Sequence, residues 1–98
     1  MAQRKIIWSL KASDDLQTIL EFYFQCNGNS IFPKKLLTEI DNIISFLPDH
    51  PKLGKTVNGG SYRVIIRGHY EIFYRYDNDS IVVVTIWDSR KNPENKSL

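Results

Sequence analysis

The chain has 98 residues, 42% of them hydrophobic, 12% aromatic and 24% charged, which supplies enough apolar side chain for one compact core and too much for a disordered segment. A net charge of +2 excludes a strongly basic nucleic-acid wrapper, and the single cysteine, Cys26, excludes an intramolecular disulfide. Charge is uneven along the chain: five basic and six acidic side chains precede Lys52, eight basic and five acidic follow from it, so the second half is the electropositive one.

Met1-Ala2-Gln3-Arg4-Lys5 leads into an apolar run too short for the core of a secretory signal. No stretch approaches the ~20 apolar residues of a membrane-spanning helix, so a reducing cytoplasm is the expected compartment. Ile6-Ile7-Trp8 is short and β-branched and suits a first strand. The period then changes. Ala12, Leu16, Ile19, Leu20 and Tyr23 recur at three- and four-residue steps, with Asp15, Thr18, Glu21 and Gln25 falling between them, and this predicts an amphipathic helix that stops near Asn27-Gly28-Asn29. Ser30 can cap a second helix and Pro33 is tolerated in its first turn; Leu36, Leu37, Ile40, Ile43, Ile44 and Leu47 form its apolar stripe, and Pro48 ends it. Two helices joined by a short polar turn read as a helical hairpin.

From Pro48 to Gly60 the chain reads as a long loop. Three β-rich runs follow, Tyr62 to Arg67, Tyr70 to Tyr76 and Ile81 to Trp87, separated by Gly68-His69 and by Asp77-Asn78-Asp79, which is the turn chemistry of antiparallel hairpins. Alternation in the first two runs predicts one apolar, aromatic face (Tyr62, Val64, Ile66; Ile72, Tyr74, Tyr76) and one face carrying Arg63, Arg67 and Arg75. The third run barely alternates and reads as a central strand covered on both sides. The expected fold class is therefore α+β, in the order β-α-α-β-β-β: a small antiparallel sheet with an N-terminal helical hairpin packed on one face. Residues 1–93 read as one domain and 94–98 as a polar tail.

The segments Ala12-Ser13-Asp14-Asp15-Leu16-Gln17-Thr18-Ile19 with Tyr23, then His50-Pro51-Lys52-Leu53-Gly54, then Tyr62-Arg63-Val64, Tyr70-Glu71-Ile72-Phe73-Tyr74-Arg75 and Ile86-Trp87-Asp88-Ser89-Arg90-Lys91-Asn92-Pro93 occur in an order and spacing that resembles the RelE/ParE superfamily of toxins from bacterial type II toxin–antitoxin systems, and the ParE-like branch in particular. The resemblance runs from residue 4 to about 93. It implies the same fold, growth inhibition, and a cognate antitoxin that binds the toxin in a hetero-oligomer through an exposed groove or sheet edge. It implies no cofactor and no metal. Two targets are implied within the superfamily: ParE-like members are associated with poisoning of DNA gyrase, RelE-like members with messenger RNA cleavage on the ribosome. Fold does not choose between them. A third reading is an inactive remnant or interaction module.

Metal-free RNA cleavage needs a base for the 2′-hydroxyl, positive charge for the phosphorane and an acid for the leaving oxygen. By the resemblance, Arg63 and Arg90 occupy catalytic positions of the nuclease branch, whereas Ile65 stands where a lysine is expected, Glu71 where an arginine is expected, and no Tyr or His follows Arg90. The nuclease set is thus incomplete. Arg63, Arg67, Arg75, Arg90 and Lys91 remain the expected target- or antitoxin-binding residues, since guanidinium groups keep their charge and bind two oxygens at once. Asp88 stands near enough in sequence to orient Arg90. His50 and His69 read as surface residues of turns, Cys26 as a filler near a helix end, and Gly59-Gly60 as loop punctuation without the lysine and hydroxyl of a phosphate loop.

Overall fold

The computed structural model describes residues 4–28 and 31–89. Ser9 turns the first strand, β1 (Lys5–Trp8), into the first helix, α1 (Leu10–Asn27). Its hydroxyl accepts from the N–H of Ala12 at 3.0 Å, capping the helix three residues before the apolar period begins, and donates to the carbonyl of Val84 at 2.7 Å. Gly28 closes α1 in the left-handed region, its N–H donating to the Phe24 carbonyl. The second helix, α2, spans Ile31–Phe46; the capping role read for Ser30 falls outside the described residues, as does the tail.

The remaining strands are β2 (Lys55–Val57), β3 (Tyr62–Arg67), β4 (Tyr70–Tyr76) and β5 (Ser80–Asp88), in one sheet of order β1-β5-β4-β3-β2. The expected α+β fold with a helical hairpin on the sheet is what forms, with two additions. β1 pairs with β5 in parallel, Lys5 beside Ser80 through Trp8 beside Val83, so the sheet is mixed. The segment read as loop also contains β2, antiparallel to β3 and at the sheet edge. Three residues are too few to show a period, which is why the sequence did not reveal it.

The buried stripe of the helices, Ala12 and Ile19 from α1 and Leu36, Ile40 and Ile44 from α2, packs on Tyr70, Ile72, Val83 and Ile86. Leu47, Tyr74 and Ile81 extend this core toward one end. Val64, Phe73 and Trp87 form a smaller cluster, joined by Val57. β5, the strand without sequence alternation, is an interior strand between β1 and β4 as expected, but it is not covered on both sides: Val82, opposite Arg75, and Val84 stay half-buried.

The predicted split between an apolar face and an arginine face requires correction. The two-residue turn at Gly68-His69 pairs Arg67 with Tyr70, so odd positions of β3 oppose even positions of β4: Arg63 faces Tyr74 and Ile65 faces Ile72. Directly opposed residues share a face. Arg63 and Arg67 therefore lie on the same face as the buried Tyr70, Ile72 and Tyr74, while Arg75 lies on the other with Phe73.

Asp15, read as a solvent-facing position, has a structural task. Between Phe73 and Tyr74 the register with β5 shifts, Phe73 opposing Thr85 and Tyr74 opposing Val83, which leaves Val84 as the extra residue of a bulge. The Asp15 carboxylate accepts from both the Thr85 hydroxyl and the Ile86 N–H, tying α1 to this irregularity. Asp15→Ala is expected to cost about 1–3 kcal/mol by stranding these donors, read as about 4–8 °C in Tm per kcal/mol. Asp15→Asn keeps an acceptor oxygen and should recover most of the loss. An Ala variant that melts with the wild type would remove the clamp.

Candidate functional site

α2 covers the middle of the sheet but leaves the helix-side face of β3 open. There Ile43 and Phe46 of α2, Leu53 to Lys55 of the following segment and Ile65 to Arg67 of β3 line a groove of about 450 Å³. Its walls are apolar, and Phe46 and Leu53 stay 59% and 58% exposed. Lys55 and Arg67 are its charged members. The neighbouring strand β2 is an edge, so its outer backbone groups are open to pairing.

The floor of this region is held by a polar pin. The Tyr74 hydroxyl, inside the core, accepts from the Gly54 N–H at 2.8 Å and donates to the Pro51 carbonyl at 2.7 Å. Burial raises its pKa above the ordinary 10.0, partly opposed by the Gly54 N–H and by the positive charge of Arg63. Gly54 is the only residue type that fits: a Cβ there would lie 2.8 Å from the Val64 carbonyl oxygen and 2.9 Å from the Tyr74 ring.

The predicted site residues divide between the two ends of the sheet. Arg63 is half-buried, with its Nη1 donating to the carbonyls of Gly54 (2.6 Å) and Lys52 (3.3 Å) and its guanidinium 5.9 Å from the centre of the Tyr76 ring. Arg67 is exposed on the groove wall, its Nε 3.9 Å from the Glu39 carboxylate of α2. Four residues of extended strand separate the two by roughly 13 Å. Arg75 is exposed at the Arg63 end but on the opposite face. Arg90 and Lys91 lie outside the described residues. The last described contact before them is the Ser89 N–H on the His69 carbonyl, at the Arg67 end.

Ile65, at the expected lysine position, is half-buried in the groove wall, and Glu71, at the expected arginine position, opposes Trp87 of β5. His50 is exposed after α2, 6.5 Å ring to ring from Phe46, and His69 is exposed in its turn. Cys26 is exposed near the end of α1. Among the described residues no group of three His, Cys, Asp or Glu side chains is placed to hold a metal ion, and no helix is long and apolar enough to cross a membrane. Burial of Tyr74 with a hydrogen-bonded hydroxyl follows from its apolar neighbours in the strand pattern, and an exposed groove or sheet edge is expected; the partners of that hydroxyl, the place of the groove and the role of Arg4 described below are not legible in the sequence.

A family model described as ParE toxin of type II toxin–antitoxin system, parDE, matches residues 6–93. No curated protein matches the chain at a significant level. Among solved structures, the fold is similar to the chromosomal ParDE toxin–antitoxin system of Pseudomonas aeruginosa, with TM-score 0.71, 19% identity, and coverage of 86% of this chain and 94% of that one. It is also similar to the RelBE2 toxin–antitoxin complex of Mycobacterium tuberculosis, with TM-score 0.63, 18% identity, and coverage of 90% and 93%. The YoeB dimer of Staphylococcus aureus is a third, with TM-score 0.59, 23% identity, and coverage of 86% and 94%.

Proposed function

This chain belongs to the ParE toxin family of type II toxin–antitoxin systems, and from that premise we propose that it inhibits growth by binding and poisoning DNA gyrase, with a cognate antitoxin occupying the groove between α2 and β3. The observation that carries the reading is the distribution of the arginines. Cleavage of RNA without a metal requires several polar groups to converge on one phosphate. Here Arg63 is tied to two backbone carbonyls at one end of the sheet, and Arg67 stands at the other end with the half-buried Ile65 between them. That arrangement suits a binding surface, with an apolar trough flanked by fixed charges, better than an acid–base site.

The groove supports the antitoxin assignment through its chemistry. Exposed Phe46 and Leu53 offer apolar anchors, Lys55 and Arg67 offer positive charge, and the free edge of β2 offers backbone pairing. An antitoxin segment with acidic and apolar side chains fits all three.

Purified toxin is expected to trap gyrase on nicked or cleaved DNA and to inhibit supercoiling, with full reversal by stoichiometric antitoxin. In cells, tightly controlled induction should raise a DNA-damage response while translated messages stay intact. New RNA 5′ ends within translated messages, lost in Arg90→Ala, together with unaffected gyrase would replace this reading with ribosome-dependent cleavage. An inert protein in both assays would mark a remnant.

A further inference from the structure

A second concavity of about 520 Å³ lies at the Arg63 end of the sheet, lined by Arg4, His50, Pro51, Lys52, Leu53 and the ring of Tyr76 together with Asp49. The toxin reading gives it no task. Its charges are unusual in how they are held. Arg4 donates through Nε to the Asp77 carbonyl at 2.6 Å and through Nη1 to the Pro48 carbonyl at 3.2 Å. Arg63, as described, is also held by carbonyls. Both guanidinium groups approach the same Tyr76 ring, Arg4 at 5.6 Å and Arg63 at 5.9 Å from its centre.

Neutral carbonyls fix the position of a guanidinium and leave its full charge in place. The ion pairs found among the described residues, Lys11 with Asp15 and Arg67 with Glu39, involve neither of these arginines nor Lys52. Two carboxylates stand nearby, those of Asp77 and Asp49. Asp77 accepts from the N–H groups of Asp79 and Ser80 and from the Ser80 hydroxyl, which holds its pKa below the ordinary value inside its own turn. Asp49 lines the cavity itself and brings one negative charge to it. Arg4 and Lys52 line the cavity against the single carboxylate of Asp49, and Arg63 adds a further positive charge at the Tyr76 ring; this excess is relieved by an anion that takes the N–H groups the carbonyls leave open.

We propose that this cavity binds a nucleoside monophosphate group, either a free nucleotide or the phosphorylated end of a nucleic-acid strand. The phosphate sits on Arg4 and Lys52, and the base lies against Pro51 and Leu53 beside Tyr76. A phosphate monoester brings up to two negative charges to a site where cations outnumber carboxylates, and a nucleoside fills the apolar remainder of a cavity in the small-ligand range of roughly 300–1,000 Å³. A lone peptide carboxylate would leave that apolar wall unused. The proposal is independent of whether gyrase or the ribosome is the toxin's target.

Titration of isotope-labelled toxin, followed by amide chemical shifts, tests it with four probes: adenosine 5′-monophosphate, adenosine, a 5′-phosphorylated tetranucleotide and the same strand with a 5′-hydroxyl. Saturable shifts are expected over residues 48–54 and 76–79. Adenosine should bind at least about tenfold more weakly than its monophosphate, and Lys52→Glu, an exposed change that leaves the fold intact, should weaken the monophosphate by about tenfold or more. Lys34→Glu, on the exposed side of α2, should leave binding unchanged. Tighter binding of the phosphorylated strand than of the nucleotide assigns the site to strand ends; the reverse assigns it to a free nucleotide. Three outcomes overturn the proposal: no saturation by either phosphorylated probe at about 10 mM, equal affinity for adenosine, or indifference to Lys52→Glu.

Discussion

Alanine at Gly54 is expected to cost about 3–5 kcal/mol, a large part of the roughly 5–15 kcal/mol that holds a domain of this size together. The added methyl would meet the Val64 carbonyl oxygen at 2.8 Å, and strand backbone cannot move aside as a flexible side chain would. The loop must lift instead. Lifting it breaks the bond from the Gly54 N–H to the Tyr74 hydroxyl and the bond from Arg63 to the Gly54 carbonyl. At about 4–8 °C per kcal/mol, Tm should fall by about 12–40 °C, measured by circular dichroism. A fall of only a few degrees would show that the loop has room and that the pin does not fix it. Tyr74→Phe removes the same hydroxyl without adding bulk and should cost about 1–3 kcal/mol, because it leaves a buried N–H without an acceptor.

The same hydroxyl predicts an alkaline limb in the stability profile. Burial raises the Tyr74 pKa above 10.0, so the folded state holds this proton more tightly than the unfolded chain does. Its stabilising contribution is fully present below pH 10, and it is lost as pH rises from there through the raised folded-state value. Tyr74→Phe should flatten that part of the profile, while the neutral and acid regions keep their shape and are lowered by the cost of the lost hydrogen bond.

Much of this architecture was legible because it depends on periodicity. The stripes from Ala12 to Tyr23 and from Leu36 to Leu47 marked the helices, and nearly all of their members are buried or half-buried, Leu37 being the exposed exception. The unalternating run at Ile81 to Trp87 marked the central strand. Long-range pairing was less legible. Alternation within a strand says which residues share a face but not which face of the next strand they join; that depended on the turn pairing Arg67 with Tyr70, and it moved Arg63 and Arg67 to the helix side. Parallel pairing of β1 with β5 joins residues about 75 positions apart and leaves no local mark. The bulge at Val84 was equally hidden, and with it the reason for an aspartate at position 15. The basic residues were found by type, whereas their division between two ends of the sheet and the pinning of Arg4 and Arg63 by carbonyls are products of tertiary geometry.

Charge introduced into the groove separates antitoxin binding from toxicity. The double variant Phe46→Glu, Leu53→Glu is expected to weaken antitoxin binding by about 100-fold or more, since burying each large apolar side chain on binding is worth about 1.5–3 kcal/mol and each tenfold in affinity is about 1.4 kcal/mol. Both side chains are more than half exposed in the free toxin, so the core loses little. Arg67→Glu alone should act differently, slowing association and reducing its salt dependence more than it speeds dissociation. An unchanged dissociation constant for the double variant, with the fold intact, would move the antitoxin elsewhere. The growth phenotype then locates the target surface relative to this groove. A variant that escapes the antitoxin and still kills uses a different surface on its target, and the antitoxin must act by steric cover or by holding the toxin in a complex. A variant that loses both functions at once places target and antitoxin in competition for Phe46 and Leu53, and makes neutralisation direct occlusion of the poisoning surface.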